Sequence, residues 1–267
     1  MRLVCLNAWG GRVHGPLLSF IRDADPDVLC LQEVTRTTAP TPPWLTYRDG
    51  DLTLPQRADL FGDVCAALPG HRAGFYPSAR GTLYDNDQSV PSEFGLATFV
   101  RSDLAVIGEA LGFVHGAFSP DGFGPHPRAR NAHCLRVFDY ATGRPTTIAH
   151  MHGLRDVAGK HDTPERARQV DRLIAVIRQV WQPPERLVVC GDFNVLPGSV
   201  TFQRLGALDL TELVTTRGFT DTRTSLYAKP GRLADYMLVN GQVDVLRFDV
   251  VAEPVVSDHR ALVVEIG

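Results

Sequence analysis

Short apolar runs that each stop at a polar side chain constrain the fold of this chain more than any other feature. Leu3 to Asn7, Val28-Leu29-Cys30-Leu31 before Gln32-Glu33, Pro145 to His152, and Leu187 to Cys190 before Gly191-Asp192 all have this form. Runs of this length, rich in Val, Leu, Ile and Cys, are too short for independent helices and read as buried strands. A polar residue just past a buried strand is held by a rigid scaffold yet meets solvent. Several such ends gathered together would make a pocket of carboxylates, amides and imidazoles.

The remaining pattern fills in around these runs. Asp27 to Val34 bounds the second strand. Pro16 to Asp23 has a brief helical pattern, and Arg57 to Leu68 an amphipathic one. Residues 36–55, rich in Thr and Pro, and Gly81 to Ser92 read as polar loops. Strands are expected over His71 to Tyr76, Phe94 to Arg101, Leu104 to Leu111, Tyr236 to Val239, Val243 to Val251 and Ala261 to Ile266. Ser119 to Arg130 reads as a loop, and Asn131 to Tyr140 pairs with Pro145 to His152 around Ala141-Thr142-Gly143-Arg144. Thr163 to Trp181 is the strongest helix. It has Thr163 as N-cap, Pro164 at the first helical position and an apolar stripe of Ala167, Val170, Leu173, Ile174, Ile177 and Val180. Only two connections look like strand-helix-strand crossovers, which disfavours a purely parallel sheet. With no linker-like break, residues 1–267 are expected to form one α/β or α+β domain of two packed sheets and flanking helices.

Composition narrows the class. Among 267 residues 44% are hydrophobic and 21% charged, as in ordinary globular proteins, and the net charge of −3 shows no overall basic excess for gripping duplex nucleic acid. No apolar stretch reaches the length of a membrane span, so no membrane anchor is expected. The N-terminal run lacks the length and cleavage site of a signal peptide. Five cysteines without a CxxC pair read as reduced core thiols, which favours the cytoplasm.

Two motifs carry chemistry. Gly191-Asp192-Phe193-Asn194 sets a carboxylate and a carboxamide at alternate positions beyond a strand, and Ser257-Asp258-His259 supplies an adjacent carboxylate and imidazole. Hydrolysis at phosphorus needs hard oxygen ligands for a divalent cation, a group to orient water, and an imidazole to handle charge. Taken singly, each of these residues has an ordinary role as a turn former or a solvated cap. Together they imply a metal-dependent phosphoester hydrolase.

The full set resembles the endonuclease/exonuclease/phosphatase superfamily. The elements are Leu6-Asn7-Ala8-Trp9-Gly10-Gly11, Cys30-Leu31-Gln32-Glu33-Val34, His150-Met151-His152, Gly191-Asp192-Phe193-Asn194, Ala234-Asp235-Tyr236 and Ser257-Asp258-His259, in the family order. The resemblance implies a deoxyribonuclease I-like α/β fold, a four-layer sandwich of two packed mixed β-sheets flanked by helices. It also implies a Mg²⁺ site, with Mn²⁺ as substitute, made by Glu33 with Asn7 and Asp258. Asp192 would orient or deprotonate water, Asn194 and His152 would hold phosphate, and Asp235 would orient His259 at the transition state. The positions around His152, His150 and Gly153, depart from the family's Asn-Thr-His-Leu segment. Trp9 stands where abasic-site nucleases carry a second carboxylate, which counts against that activity.

Specificity is expected from loops. Arg128 and Arg130, with His126, and Arg155, with Lys160 and His161, are candidate substrate contacts, because arginine suits phosphate. Arg223 and Arg232 are secondary candidates, and Trp9 and Phe193 read as packing residues. The expected substrate is a phosphoester, either DNA or RNA or a small phosphorylated molecule. Two other classes are a catalytically silent binding protein on this fold and a zinc hydrolase. The first would have lost catalytic residues that are all present here. The second finds no HExxH and only His150-Met151-His152, which alternates along a strand.

Overall fold

The computed structural model describes residues 1–156 and 158–267. In chain order the strands are β1 (Arg2–Asn7), β2 (Val28–Arg36), β3 (Trp44–Asp49), β4 (Leu52–Arg57), β5 (His71–Asp85), β6 (Gln88–Arg101), β7 (Ala105–His115), β8 (Arg130–Asp139), β9 (Arg144–His152), β10 (Arg186–Asp192), β11 (Leu210–Glu212), β12 (Asp235–Asn240), β13 (Val245–Val251) and β14 (Ala261–Ile266). The helices are α1 (His14–Ala24), α2 (Leu60–Ala67), α3 (Pro164–Ile177) and α4 (Val200–Leu205). One sheet runs β13-β14-β1-β2-β6-β5-β3-β4 and the other β11-β12-β10-β9-β8-β7.

Both sheets are mixed, and each owes its parallel pair to one of the two crossovers visible in sequence. β1 and β2 are parallel around α1, and β9 and β10 are parallel around α3. Alternation along the strands then sorts the layers. Leu3, Cys5, Val28 and Cys30 join the core shared with the second sheet, whereas Val4, Leu6, Leu29 and Leu31 pack outward with Leu17, Ile21, Leu60 and Val64 of α1 and α2. Leu173 and Ile177 of α3 cover the other sheet. Thr163 caps α3 by accepting from the Arg166 N–H at 3.3 Å. All five cysteines are free thiols, and four are buried. No helix among the described residues is long and apolar enough to cross a membrane.

Four expectations are corrected. Residues 36–55 are not a loop. They end β2 and contain β3 and most of β4, whose Pro55 is tolerated because β4 is an edge strand. Gly81 to Ser92 is likewise strand, the far end of the β5–β6 hairpin, where Leu83 is buried and Asn86 takes the positive φ of a two-residue turn. The helix expected over 57–68 is shorter, since Asp59 caps it and Arg57 belongs to β4. The expected run from Val243 starts at Val245, and α4 and β11 add elements without a clear sequence period.

A chain of polar side chains crosses the space between the sheets. The His133 Nε2–H donates to Glu109 at 3.0 Å, so its Nδ1 accepts from the Thr98 hydroxyl at 2.8 Å. Thr98 Oγ1 in turn accepts from His150 Nε2 at 2.8 Å, and His150 Nδ1 accepts from Gln32 at 3.4 Å. This ordering requires both imidazoles to be neutral. Burial lowers the His133 pKa from 6.5 to about 4, despite Glu109. A histidine depressed in the fold titrates first in the unfolded chain. Stability is therefore flat above about pH 6.5 and falls between about 6.5 and 4, by up to about 3 kcal/mol for this residue. His150 and His152 are depressed in the same direction by burial. Denaturant unfolding across this range is expected to show the slope, and His133→Gln to reduce it by up to about one proton. An unchanged slope in the variant would count against this assignment.

Candidate functional site

The polar strand ends converge at one end of the seam between the sheets. On the first sheet Glu33 sits in a bulge of β2, where pairing with β6 skips from Leu31 to Val34, and it has φ 55°. Such a bulge re-aims a side chain at some backbone cost. Asn7 ends β1 beside Gln32. On the second sheet Asp192, Asp235 and His152 are neighbours across three strands, Asp192 pairing with both. Gly191 has φ 144°, and a Cβ there would lie 2.1 Å from the Met151 carbonyl oxygen, so the residue before Asp192 must be glycine. Ser257 pins the last loop by donating its hydroxyl to the Asn7 carbonyl at 2.7 Å and accepting the His259 N–H at 3.2 Å.

Asn7 stands at the centre. Its Oδ1 accepts from the Trp9 N–H at 3.0 Å, so its Nδ2 donates to both Glu33 Oε1 and Asp192 Oδ2, each at 3.1 Å. The amide thus turns its nitrogen to the carboxylates and holds them in place, rather than offering them an oxygen. His259 Nδ1 lies 2.8 and 2.9 Å from the two Asp235 oxygens, and Nε2 accepts from the Arg223 guanidinium with Asp192 Oδ2 and Asp258 Oδ1 each 3.7 Å away. His152 Nε2 lies 3.7 Å from Glu33 and 3.8 Å from Asp192. Asn194, at φ 53°, donates its N–H to Asp192 Oδ1 at 3.1 Å.

Charge within this buried cluster is nearly balanced. Burial pushes the Asp192 carboxyl up, but His259, His152, Arg223 and Lys160 bring its pKa down to about 2. Burial and the Arg223 charge oppose a charged His259, yet Asp235 and Asp192 prevail and raise its pKa. Burial lowers the Arg130 guanidinium to about 10, with Glu33 and Asp192 acting against that fall. The Arg130 Nε has no hydrogen-bond partner among the described residues. Asp258 is raised by burial and by Glu33, and His259 and Arg223 offset this in part.

Asp192, Asp235 and His259 offer ligand atoms within 4.8 Å of one another. His259 Nδ1 and Asp235 are already committed to each other, however. Glu33 and Asp258 are oxygen donors that could hold a hard cation, Asp258 through the oxygen that Arg223 does not take. Asp258 is a buried carboxylate whose ionisation Glu33 opposes, and a divalent ion held by oxygen would relieve that repulsion. The His150-Met151-His152 pair does not form a zinc set, since both ring nitrogens of His150 are taken up between the sheets by Thr98 and Gln32.

Of the residues expected from sequence, the cluster contains Asn7, Glu33, Arg130, His152, Asp192, Asn194, Asp235, Asp258 and His259. Arg128 lies elsewhere, ion-paired to Asp49 at 3.0 Å and packed over Tyr47 and Phe123. Arg155 is exposed, and its charge opposes protonation of His152. Arg223, only a secondary candidate in sequence, is central: it is buried, lies 3.1 Å from Asp258 and donates to His259 Nε2. Lys160 is held by the Gly231 and Leu233 carbonyls, each at 2.7 Å, near Asp192 and Asp235. No periodicity marks Arg223, whose place depends on an isolated bridge to His259.

Two mixed sheets with carboxylates and imidazoles at one end of their seam define the fold and its site. A sequence profile of the Endonuclease/Exonuclease/phosphatase family matches residues 4–259, and the chain belongs to that family. Comparison with curated protein sequences gives no match. Among solved structures, an endonuclease/exonuclease/phosphatase from Bacteroides vulgatus is 18% identical with a TM-score of 0.70, covering 100% of this chain and 98% of its own. The human Nocturnin catalytic domain with bound sulfate is 19% identical with a TM-score of 0.64, covering 100% and 93%. The mannosyl-6-phosphatase of Bacteroides thetaiotaomicron is 15% identical with a TM-score of 0.67, covering 100% and 99%. At these identities the likeness is one of fold.

Proposed function

We propose that the protein is a Mg²⁺-dependent phosphoesterase, acting as a phosphodiesterase on nucleic acid or a small phosphorylated molecule in the cytoplasm. The observation that carries this reading is the row Asp235, His259, Asp192, in which a buried carboxylate fixes one imidazole nitrogen and the other lies between the Arg223 guanidinium and a carboxylate held ionised. Mg²⁺ at Glu33 and Asp258 would supply positive charge to the phosphoryl oxygens. Asp192 would accept the proton of the attacking water, as its amide and imidazole neighbours keep it ionised and oriented. Water adds to phosphorus as the ester oxygen leaves. His259 stabilises the charge that develops, held by Asp235, while Arg130, His152 and Asn194 hold the non-bridging oxygens.

Chelation is expected to silence hydrolysis of bis-para-nitrophenyl phosphate, and Mg²⁺ or Mn²⁺ to restore it. A panel of single- and double-stranded DNA, RNA, inositol phosphates and sphingomyelin would define the substrate. Full activity in excess EDTA after dialysis, or zinc retained at one equivalent and needed for turnover, would overturn the metal assignment.

A further inference from the structure

We propose that Arg12 is a specificity residue that binds a second phosphate of the substrate, distinct from the one being hydrolysed. The proposal rests on the phosphoesterase reading of the neighbouring cluster. Arg12 follows a turn that favours glycine. Gly10 and Gly11 have φ 62° and 70°, and a Cβ on either would come within 3.0 Å of Gln56, or of Arg57 and Leu60. The turn is tied to the site itself, since the Trp9 N–H is held by Asn7, which holds Glu33 and Asp192. It folds the Arg12 guanidinium onto the Trp9 ring, 3.8 Å from the centroid.

The guanidinium is placed but not neutralised. Its Nε is buried and has no hydrogen-bond partner among the described residues, and Asp258 is the carboxylate whose charge it feels. Arg57, the neighbouring guanidinium on this face, is spent on Asp63 at 2.8 Å, and the His14 ring lies 3.1 Å from the same carboxylate. Arg130 addresses the cluster through different carboxylates, Glu33 and Asp192. Guanidiniums without a carboxylate partner among the described residues therefore flank the cluster on separate sides: Arg130 toward Glu33 and Asp192, exposed Arg155 toward His152, and Arg12, the one stacked on a ring, on the side from which Asp258 acts on it. With Arg130, His152 and Asn194 assigned to the reacting phosphate, Arg12 differs from exposed Arg155 in being fixed on the Trp9 ring, and so is the one pre-oriented for a second anion. A stacked, pre-oriented arginine is well made for phosphate, because little side-chain freedom is lost on binding. Trp44, 40% exposed, continues this face under Arg57 and beside His14.

The test is calorimetric binding to the purified full chain, independent of turnover. The ligand pairs are thymidine 3′,5′-bisphosphate against thymidine 5′-monophosphate, and fructose 1,6-bisphosphate against fructose 6-phosphate. The wild type is expected to prefer the bisphosphate of at least one pair by about tenfold or more, the range of one charge-assisted contact. The pair that discriminates tells a nucleotide from a sugar phosphate. Arg12→Gln should bring that ratio to within about twofold, and Arg12→Lys should keep part of it. No preference in either wild-type pair, or equal weakening of mono- and bisphosphate by Arg12→Gln, would overturn the proposal. A protein that discriminates in this way yet hydrolyses nothing would refute the phosphoesterase reading instead.

Discussion

Asp192→Asn is expected to lower the turnover number about a thousandfold while the protein remains folded. The carboxylate is the group placed to take a proton from water, and removing a general base or an oriented charge typically costs two to four orders of magnitude, roughly 3–5 kcal/mol. A modest stability loss should accompany this. The folded pKa of Asp192 is depressed from 3.8 to about 2, so the ionised carboxylate stabilises the fold above about pH 4, and that contribution fades as pH falls toward 2. At neutral pH the variant should lose at most roughly 2 kcal/mol, a few degrees in Tm. Glu33→Gln should match it in activity, because Glu33 is a candidate metal carboxylate that Asn7 also positions. Turnover within a few-fold of wild type, in either folded variant, would sink the site.

The second large effect concerns Asp235 and His259. Asp235→Asn removes the charge that favours the imidazolium and frees the ring to present the other tautomer. A fall in kcat of roughly a hundredfold or more, with little change in KM, is expected, because the help is needed as charge develops. His259→Ala should cost a similar factor, and the double variant little more than the worse single one. Additive losses would show that the two act separately and would dispose of the pairing as a catalytic unit.

Much of this was legible in sequence because it depends on local chemistry. A buried strand followed by a polar residue announces itself through its apolar run, and Asn7, Glu33, His152 and Asp192 were all visible in that way, whereas His259 stood out only through the Ser257-Asp258-His259 motif before β14. Both crossovers could be read because α1 and α3 lie between apolar runs. The β3–β4 hairpin could not, since its strands are half-exposed, carry Pro55 and Thr, and owe their form to pairing at a sheet edge. Arg128 and Arg223 show the same limit for side chains. Both are arginines in polar loops, and only tertiary placement sends one to Asp49 and the other to Asp258. The amide of Asn7 is a finer case: its type was clear, but its orientation depends on the Trp9 N–H.

The reacting groups are divided between two sheets that touch only through their packed faces. Asn7 and Glu33 ride on one, His152, Asp192 and Asp235 on the other, and the 3.1 Å contact from Asn7 to Asp192 spans the join. Catalysis in such an arrangement works as a strain gauge on the docking of two half-molecules. A shift of one sheet by a single ångström would leave every strand and helix intact, yet would part Asn7 from Asp192 and spoil the alignment. Warming, mild denaturant or a cavity cut into the middle layer should therefore extinguish turnover well before circular dichroism records any loss of structure.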